Sequence, residues 1–161
     1  MCHPEPVEGR IRPRQRSDDA WLEAFLAEFW GGPELIVRGV AVDVLKMPAL
    51  IAGDREGVAI FSDTPPAELL LLAALREGRG IGTALLEAVI ENLRERGATE
   101  LRVMTTNDNL RALRFYQRRG FRLKELRPGA VDEARRLKPQ IPLYGAEGIP
   151  MRDEIELIAS L

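Results

Sequence analysis

Three glycines at alternate positions, Gly78, Gly80 and Gly82, separate two apolar segments of different periodicity in this 161-residue chain. The preceding run, residues 69–75, is continuously apolar, as a central strand covered on both faces would be. In the following segment, residues 82–97, apolar side chains recur at helical spacing. A glycine turn between a strand and a helix presents free backbone N–H groups at the positive end of a helix dipole, and such groups bind phosphate.

Glycine turns serve several nucleotide cofactors, and the spacing of the glycines tests each of them. The dinucleotide fingerprint needs glycine at its first, third and sixth positions. Counted from Gly78 the sixth residue is Thr83, and counted from Gly80 it is Leu85. A Walker P-loop needs Gly-Lys followed by Ser or Thr, and the sequence contains no such tripeptide. The turn alone leaves open a tight turn that binds no ligand.

A second distinctive segment, residues 109–121, predicts a short helix that ends at Gly120. Asn109 and Tyr116 are seven residues apart, so two helical turns would place both side chains on one face, about 10 Å apart. Ala112 lies between them and would leave that face shallow. Such a stripe could line an extended thioester arm. The alternative is a Tyr116 ring that packs in the core with its hydroxyl at the surface.

Taken together, the two segments resemble the GNAT acetyltransferase superfamily. Its acetyl-coenzyme A signature, Gln/Arg-x-x-Gly-x-Gly/Ala, is matched at residues 77–82 except at the first position, which is Glu77. Its downstream pattern, Asn-x-x-Ala-x-x-Phe-Tyr-x-x-x-Gly-Phe, is matched at Asn109, Ala112, Phe115, Tyr116, Gly120 and Phe121. An anion at Glu77 would be unfavourable beside a pyrophosphate, so we expect Arg76 or Arg79 to offset it.

The resemblance implies a mixed α/β fold of the acyl-CoA N-acyltransferase type, with a central mixed sheet of about six or seven strands flanked by about four helices. It implies direct transfer of an acetyl group from acetyl-CoA to a primary amine in a ternary complex, without a metal. The matching tyrosine often serves as general acid in the family, and this assigns that role to Tyr116. Glu68 lies in a region where some members place a carboxylate base. The alternatives there are an exposed glutamate at a strand end and a water relay.

The resemblance also implies which residues would hold the acetyl-CoA. Asn109 would hydrogen-bond the pantetheine arm or the helix N-terminus, and Tyr116 would lie near the thioester sulfur. The pantetheine amides and the carbonyl oxygen would contact the backbone of Ala73, Ala74 and Leu75. The pyrophosphate would contact the backbone amides of Arg79, Gly80, Ile81, Gly82 and Thr83.

Composition excludes several other classes of protein. The formal net charge of −2 argues against a nucleic-acid partner, which would need a basic excess or patch. A single cysteine, Cys2, excludes an intrachain disulfide, and a single histidine, His3, argues against a Ser-His-Asp triad or a multi-histidine metal site. No apolar run has the length of a membrane span, and the N-terminus lacks the apolar region of a signal peptide. We therefore expect a cytoplasmic protein with no membrane partner.

Residues 1–10 are expected to form a disordered tail, and residues 11–161 to form a single GNAT N-acetyltransferase domain. Residues 35–46 predict one strand that Gly39 interrupts. Residues 128–150 exceed the needs of a plain hairpin and are expected to cover the acceptor side or a dimer contact, since members of the superfamily are frequently homodimers. The acceptor would be a small-molecule or protein amine.

Two further expectations concern the ends of this domain. Ser17 is a helix N-cap signal, and the helix after it would bury one face formed by Trp21, Leu22, Phe25, Leu26 and Phe29. In the last strand, Glu154 and Glu156 are expected to face solvent or the acceptor cleft.

Two other functions remain open at this point. A protein of the same fold could bind and sense acyl-CoA without transferring the acyl group, although the presence of Tyr116 argues against this. An unrelated nucleotide-binding domain is disfavoured by the failed dinucleotide and Walker patterns. Release of coenzyme A in the presence of amines distinguishes the enzyme from the sensor, and competition by ATP or NAD would favour the third class.

Overall fold

The described part of the chain, residues 10–161 of a computed structural model, contains nine strands and four α-helices. The strands are β1 (Ile11–Pro13), β2 (Glu34–Val37), β3 (Val40–Asp43), β4 (Ala49–Ala52), β5 (Gly57–Ser62), β6 (Glu68–Ala74), β7 (Glu100–Thr106), β8 (Arg122–Arg127) and β9 (Glu154–Ser160). The helices are α1 (Asp19–Trp30), α2 (Ile81–Glu95), α3 (Leu110–Gln117) and α4 (Ala130–Leu137). The tail predicted for residues 1–10 lies outside the described residues except for Arg10, which forms an ion pair with Glu56.

One of two compact units comprises residues 10–20, 46–101 and 161. Its strands β1, β4, β5 and β6 are antiparallel neighbours in that order, and α2 packs on them. All of β4 and five of the six residues of β5 are buried, as expected for short apolar strands that are covered on both faces. The core positions of α2 have the helical spacing that the sequence predicted, and they include Leu85, Leu86, Val89 and Leu93.

The other unit comprises residues 21–45 and 102–160. It contains β9 between β7 and β8, the hairpin β2–β3, most of α1, and the helices α3 and α4. Strands β8 and β9 are antiparallel. Leu22, Phe25 and Leu26 form the buried face of α1.

Besides the hairpin, the described units contain four and three sheet strands, and they contain four α-helices in all. These numbers, together with the fold similarities reported below, confirm the predicted mixed α/β class. A single domain over residues 11–161 stays a prediction. None of the helices between residues 10 and 161 has the length and apolar character that crossing a membrane requires.

The single strand predicted over residues 35–46 is wrong, because the chain reverses direction at Arg38 and Gly39. Both residues have positive φ, +49° and +78°, and they form a two-residue turn that pairs Val37 with Val40. Turns with two residues at positive φ match the twist of the strands they connect, so they favour a tight hairpin. A 3₁₀ turn, Val44–Lys46, follows the hairpin.

The start of α1 differs from the prediction in its capping residue. A 3₁₀ turn, Arg16–Asp18, precedes the helix, and it begins with a capping box between Gln15 and Asp18 rather than at Ser17. Phe29 does not belong to the buried face, because 60% of its surface is exposed while its ring packs on Phe25 with centroids 5.0 Å apart.

Candidate functional site

The glycine loop connects β6 to α2, as the sequence predicted. Residues 74–80 are all exposed, and Gly78 and Gly80 have φ of +74° and +70°, a region that glycine adopts without a Cβ penalty. Gly80 is the N-cap of α2 and supplies no side chain to cap it. The intrahelical ladder begins with the Ala84 N–H, which donates to the Gly80 carbonyl at 2.9 Å. The amides of Ile81 and Gly82 precede that ladder at the positive end of the helix dipole.

Charges around this loop favour an anion. The first turn of α2 contains no acidic residue. Arg79 is exposed and makes no ion pair with the described residues, whereas the Arg76 guanidinium lies 3.5 Å from the Glu56 carboxylate. Of the two arginines expected to offset Glu77, Arg79 is therefore the one with no carboxylate partner within the described chain.

Strand β6 contains an irregularity that the sequence did not reveal. Ile60 of β5 pairs with Leu71 and Phe61 pairs with Leu69, so Leu70 is an extra residue in β6. Such a bulge leaves backbone groups out of the ladder and re-aims side chains, and bulges are frequent beside active sites. Alternation of apolar and polar residues would reveal a bulge, but β6 is apolar after Glu68 and carries no such signal.

Glu68, the candidate base, lies at the first position of β6 and is buried, with 8% of its surface exposed. The alternative of an exposed glutamate at a strand end is therefore wrong. Along the strand it is separated from Ala74 by six residues, or about 20 Å. Ala73, Ala74 and Leu75 lie at the opposite end of the strand, next to the glycine loop.

Tyr116, the candidate general acid, is a buried residue of α3 with 7% of its surface exposed. Its ring packs edge-on against Phe115 and Phe121, with centroids 5.2 and 5.3 Å apart. Desolvation by this burial raises the pKa of the Tyr116 hydroxyl well above its usual value, because water no longer stabilises the phenolate. Among the described residues no hydrogen bond involves this hydroxyl. The hydroxyl is thus protonated at neutral pH, and it donates no hydrogen bond to another residue of the described chain.

Asn109 is the N-cap of α3 and precedes the helix rather than lying on its face. Its side-chain Oδ1 accepts a hydrogen bond from the Ala112 N–H at 3.0 Å. Of the two partners predicted for Asn109, the helix N-terminus is the one observed. The capping bond occupies the amide oxygen and leaves the side-chain NH₂ group for a ligand.

The long segment between β8 and β9 is fixed to the residues just before α3. The Asn107 side chain donates to the Pro150 carbonyl at 2.9 Å and accepts from the amides of Arg152 and Asp153 at 3.0 Å. Asp108, itself buried, accepts from the Ala146 amide at 3.0 Å. This segment is therefore an ordered part of the unit that also carries Asn109 and Tyr116.

The two glutamates of β9 do not face solvent, which corrects one of the two expectations for them. Glu154 and Glu156 are 8% and 2% exposed. Glu156 pairs with Arg38 at 2.6 Å and with Arg102 at 3.7 Å. Arg38 belongs to the hairpin turn, which sequence reasoning did not recognise, so its pairing with a residue 118 positions later could not be anticipated.

The structure brings the predicted site residues together in two groups. Those expected to hold the pantetheine and the pyrophosphate lie around the end of β6 and the start of α2, in the unit that also contains Glu68: Ala73, Ala74, Leu75, Arg79, Gly80, Ile81, Gly82 and Thr83. Asn109 and Tyr116 lie at α3 of the other unit. Within residues 10–161 no group of three or more His, Cys, Asp or Glu side chains could hold a metal ion.

Known proteins resemble this chain at several levels. The sequence profile of the acetyltransferase (GNAT) family matches residues 57–121. The uncharacterized protein YxbD of Bacillus subtilis is 38% identical over 145 residues, which cover 87% of this chain and 91% of that protein. The IAA acetyltransferase of Bacillus cereus has a TM-score of 0.72 at 25% identity, over 94% of this chain and 99% of that one.

A second solved structure, a Bacillus subtilis acetyltransferase in complex with CoA, has a TM-score of 0.69 at 21% identity, over 94% of this chain and 98% of that one. Its likeness concerns the fold. The profile match spans the glycine loop and the segment from Asn109 to Phe121, the two segments that carry the sequence resemblance. By its sequence relatives, its fold and these two segments, the chain belongs to the GNAT family of acetyltransferases.

Proposed function

We propose that this protein is an N-acetyltransferase that moves an acetyl group from acetyl-CoA to a primary amine of a small-molecule or protein acceptor. The observation that carries the proposal is the start of α2, where Gly80 caps the helix without a side chain. Backbone amides and the helix dipole there favour an anion such as the pyrophosphate of coenzyme A. The similar Bacillus subtilis acetyltransferase is a complex with CoA, which supports the same class of ligand.

The residues around the loop fit this co-substrate in shape as well as in charge. A Cβ added at Gly78 or Gly80 would meet no atom within 4 Å, so the space above the loop is open. The exposed guanidinium of Arg79 adds a positive charge next to it. We assign the pyrophosphate to the backbone of residues 79–83, and the pantetheine amides to the end of β6 at residues 73–75 and to Asn109.

The proposed reaction is direct acyl transfer in a ternary complex. An amine with a pKa near 10 must lose a proton before its nitrogen can attack. As the new C–N bond forms at the thioester carbonyl, the C–S bond breaks and the sulfur takes the proton of the Tyr116 hydroxyl. The ammonium loses its first proton to the base before the attack, and the nitrogen loses a second proton as the amide forms. One of these two protons returns to the Tyr116 phenolate through solvent and the other is released, so each turnover leaves the enzyme unchanged and frees one proton. Backbone N–H groups at the end of β6 stabilise the negative charge on the carbonyl oxygen.

The protonation state of Tyr116 supports its part in this scheme. The phenol is neutral at the pH of the reaction, as tyrosine ordinarily is, so a proton is present when the thiolate leaves. Burial against Phe115 and Phe121 raises its pKa further and makes it a weaker acid, so its proposed role depends on its position and not on its acidity. The base that accepts the proton of the amine is either the buried Glu68, which would act through bridging water because it lies about 20 Å along β6 from Ala74, or a relay of water alone. A Glu68→Gln variant distinguishes the two. If Glu68 is the base, the substitution removes the fall in rate at acidic pH; if water is the base, that part of the pH–rate profile stays unchanged.

Calorimetric titration of acetyl-CoA into the purified protein tests the proposal, with desulfo-CoA, free CoA, ATP and NAD as comparisons. Binding in the micromolar range that is selective for the CoA series, followed by release of CoA with an amine library, is the expected result. Intersecting lines in two-substrate initial-rate plots would support the ternary complex. Selective binding without transfer to any amine would favour a protein that senses acyl-CoA, and absence of binding would overturn both functions.

A further inference from the structure

Gly57 is the first residue of β5, and its backbone conformation is one that residues other than glycine also adopt. Its φ is not among the positive values of the chain, and it pairs regularly with Ala52 of β4 and Ala74 of β6. A glycine inside a regular strand weakens it, since glycine loses more conformational entropy on folding and packs no side chain. The reason for glycine at this position must therefore lie in what surrounds it.

The surroundings of Gly57 leave no room for a side chain. An ideal Cβ at this position would lie 2.6 Å from Ile81 Cγ2, 2.9 Å from the Ala73 carbonyl oxygen and 3.0 Å from Leu85 Cδ1. Ile81 and Leu85 are 1% and 0% exposed, so neither side chain can swing out into solvent. The third neighbour is backbone, which moves only with its strand. A Cβ would have to displace the start of α2, the end of β6, or both.

Two of these neighbours, Ile81 and Ala73, belong to the elements that bind acetyl-CoA in the proposed function. Ile81 begins α2 directly after the N-cap Gly80, and Ala73 lies at the end of β6. We propose that Gly57 is a positioning residue of the acetyl-CoA site: its missing side chain lets the first turn of α2 and the end of β6 settle on β5 at the distance that aims their backbone groups at the ligand. The inference rests on the proposed function, and Gly57 itself acts only through Ile81 and Ala73.

The residue before Gly57 holds the same region by hydrogen bonding. The Leu75 N–H donates to the Glu56 carbonyl at 2.8 Å, and the Glu56 carboxylate lies 3.5 Å from the Arg76 guanidinium. Glu56 fixes the chain as it leaves β6, and Gly57 fixes how closely α2 approaches. A change at Gly57 would therefore act on both sides of the glycine loop.

The test compares two glycine-to-alanine variants that both affect α2. Gly57→Ala is expected to raise the Kd for acetyl-CoA about tenfold or more, because a displaced backbone N–H loses its hydrogen bond to the charged pyrophosphate, and one such bond is worth about tenfold or more in affinity. Gly97→Ala is the matched control: Gly97 follows the other end of α2 at φ +81°, and a Cβ there meets no atom within 4 Å. That control destabilises the fold through backbone strain and is expected to leave the Kd unchanged. Both titrations are made well below each variant's Tm.

A second substitution separates positioning from general damage. In Gly57→Ala/Ile81→Leu the branch methyl at 2.6 Å is removed while the side-chain volume is kept, and affinity is expected to recover in part. Amide ¹H–¹⁵N shifts of residues 80–83 in the protein without ligand should move in Gly57→Ala and not in Gly97→Ala. Wild-type binding with an unchanged Kd in Gly57→Ala would overturn the inference alone. Failure of the wild-type protein to bind acetyl-CoA would overturn the proposed function, and with it the role of Gly57 in that site.

Discussion

Tyr116 packs edge-on against Phe121, with ring centroids 5.3 Å apart and ring planes at 63° to each other. The contact joins the last turn of α3 to the residue that leads into β8, and a backbone bond from the Phe121 N–H to the Tyr116 carbonyl at 3.1 Å fixes it. A phenol held in this way keeps one orientation and loses most of its hydration. The fixed orientation suits a group that must deliver a proton to one defined place, whereas the lost hydration raises its pKa.

We therefore expect Tyr116→Phe to lower turnover by about a hundredfold, while the Kd for acetyl-CoA changes little, because only the hydroxyl is removed from a ring that stays packed. Steady-state rates of CoA release and calorimetric Kd values measure the two effects. Tyr144→Phe is the matched control, since that ring is 65% exposed and lies outside α3. Equal turnover of Tyr116→Phe and the wild-type protein would remove Tyr116 from the chemistry.

Asn109 gives a prediction in which capping and ligand binding can be separated. Asn109→Ala removes the acceptor of the Ala112 N–H and should lower the free energy of unfolding by about 1 kcal/mol. Asn109→Asp keeps an oxygen at the cap but removes the side-chain NH₂ group, so we expect near wild-type stability together with weaker acetyl-CoA binding. Urea unfolding and calorimetry measure the two quantities. Equal acetyl-CoA affinity in Asn109→Asp would show that Asn109 serves the helix alone.

Local signals in the sequence predicted most of the fold. The helix predicted over residues 82–97 is α2, which begins one residue earlier at Ile81, and the continuous apolar run after Glu68 forms β6. Each of these signals depends on residues close together in the chain: a glycine that a turn needs, or apolar side chains at one period. At these positions the local preference of the chain and the tertiary structure agree, so the sequence signal alone predicts the element.

Features that depend on distant residues could not be predicted in this way. The hairpin turn requires Arg38 at positive φ, which is uncommon for arginine and has no sequence signature. Burial of Glu156 depends on that same Arg38, 118 residues away. The need for glycine at Gly57 arises from Ile81, 24 residues later, and strand periodicity alone carries no trace of it. In each case a contact made after folding decides what the residue does.

Lys138 leads to a prediction about the stability of the second unit. Its ammonium group donates to the carbonyls of Trp30 and Glu34, both at 2.6 Å, and so satisfies the C-terminal end of α1 and the start of β2. Lys138→Met would leave these carbonyls without that donor and should lower the free energy of unfolding by about 1–3 kcal/mol. Lys124→Met, at an exposed position of β8, is the control and should have little effect. Equal urea midpoints for both variants would contradict this role.

Lys138 should also make stability depend on pH in the alkaline range. Desolvation lowers the pKa of the Lys138 ammonium, with the nearby Glu34 opposing the shift. The unfolded chain then binds this proton more tightly than the folded one, so stability attributable to Lys138 rises as the pH increases through the folded pKa towards the unfolded value of 10.4. The unfolding free energy of the wild-type protein relative to that of Lys138→Met should therefore increase as the pH rises through the alkaline range towards the unfolded pKa of about 10.4. A constant difference across that range would argue against a desolvated ammonium.

Asp18 gives a dependence of the same sign at acidic pH, where its contribution to stability also rises with pH. Hydrogen bonds from the Arg12 guanidinium, at 2.6 and 3.0 Å, lower the pKa of this buried carboxyl, and the Gln15 amide and Arg55 add to the effect. Because the folded pKa lies below the unfolded value of about 3.9, the stabilisation is complete above about pH 5 and is lost as the pH falls below that.

We expect Asp18→Asn to cost about 1–3 kcal/mol of unfolding free energy at pH 7, since Arg12 and Arg55 lose their carboxylate. The cost should shrink as the pH is lowered towards 3, because Asp18 of the unfolded wild-type chain then takes up a proton that the folded protein still excludes, and this stabilises the unfolded state. Asp19→Asn is the control: that carboxylate is 55% exposed and lies 3.6 Å from Arg14, so a small cost at both pH values is expected. Urea unfolding of the wild-type protein and the two variants at pH 7 and pH 3 measures these free energies. If the loss of unfolding free energy in Asp18→Asn is the same at both pH values, the ionised carboxylate is not what stabilises the start of α1.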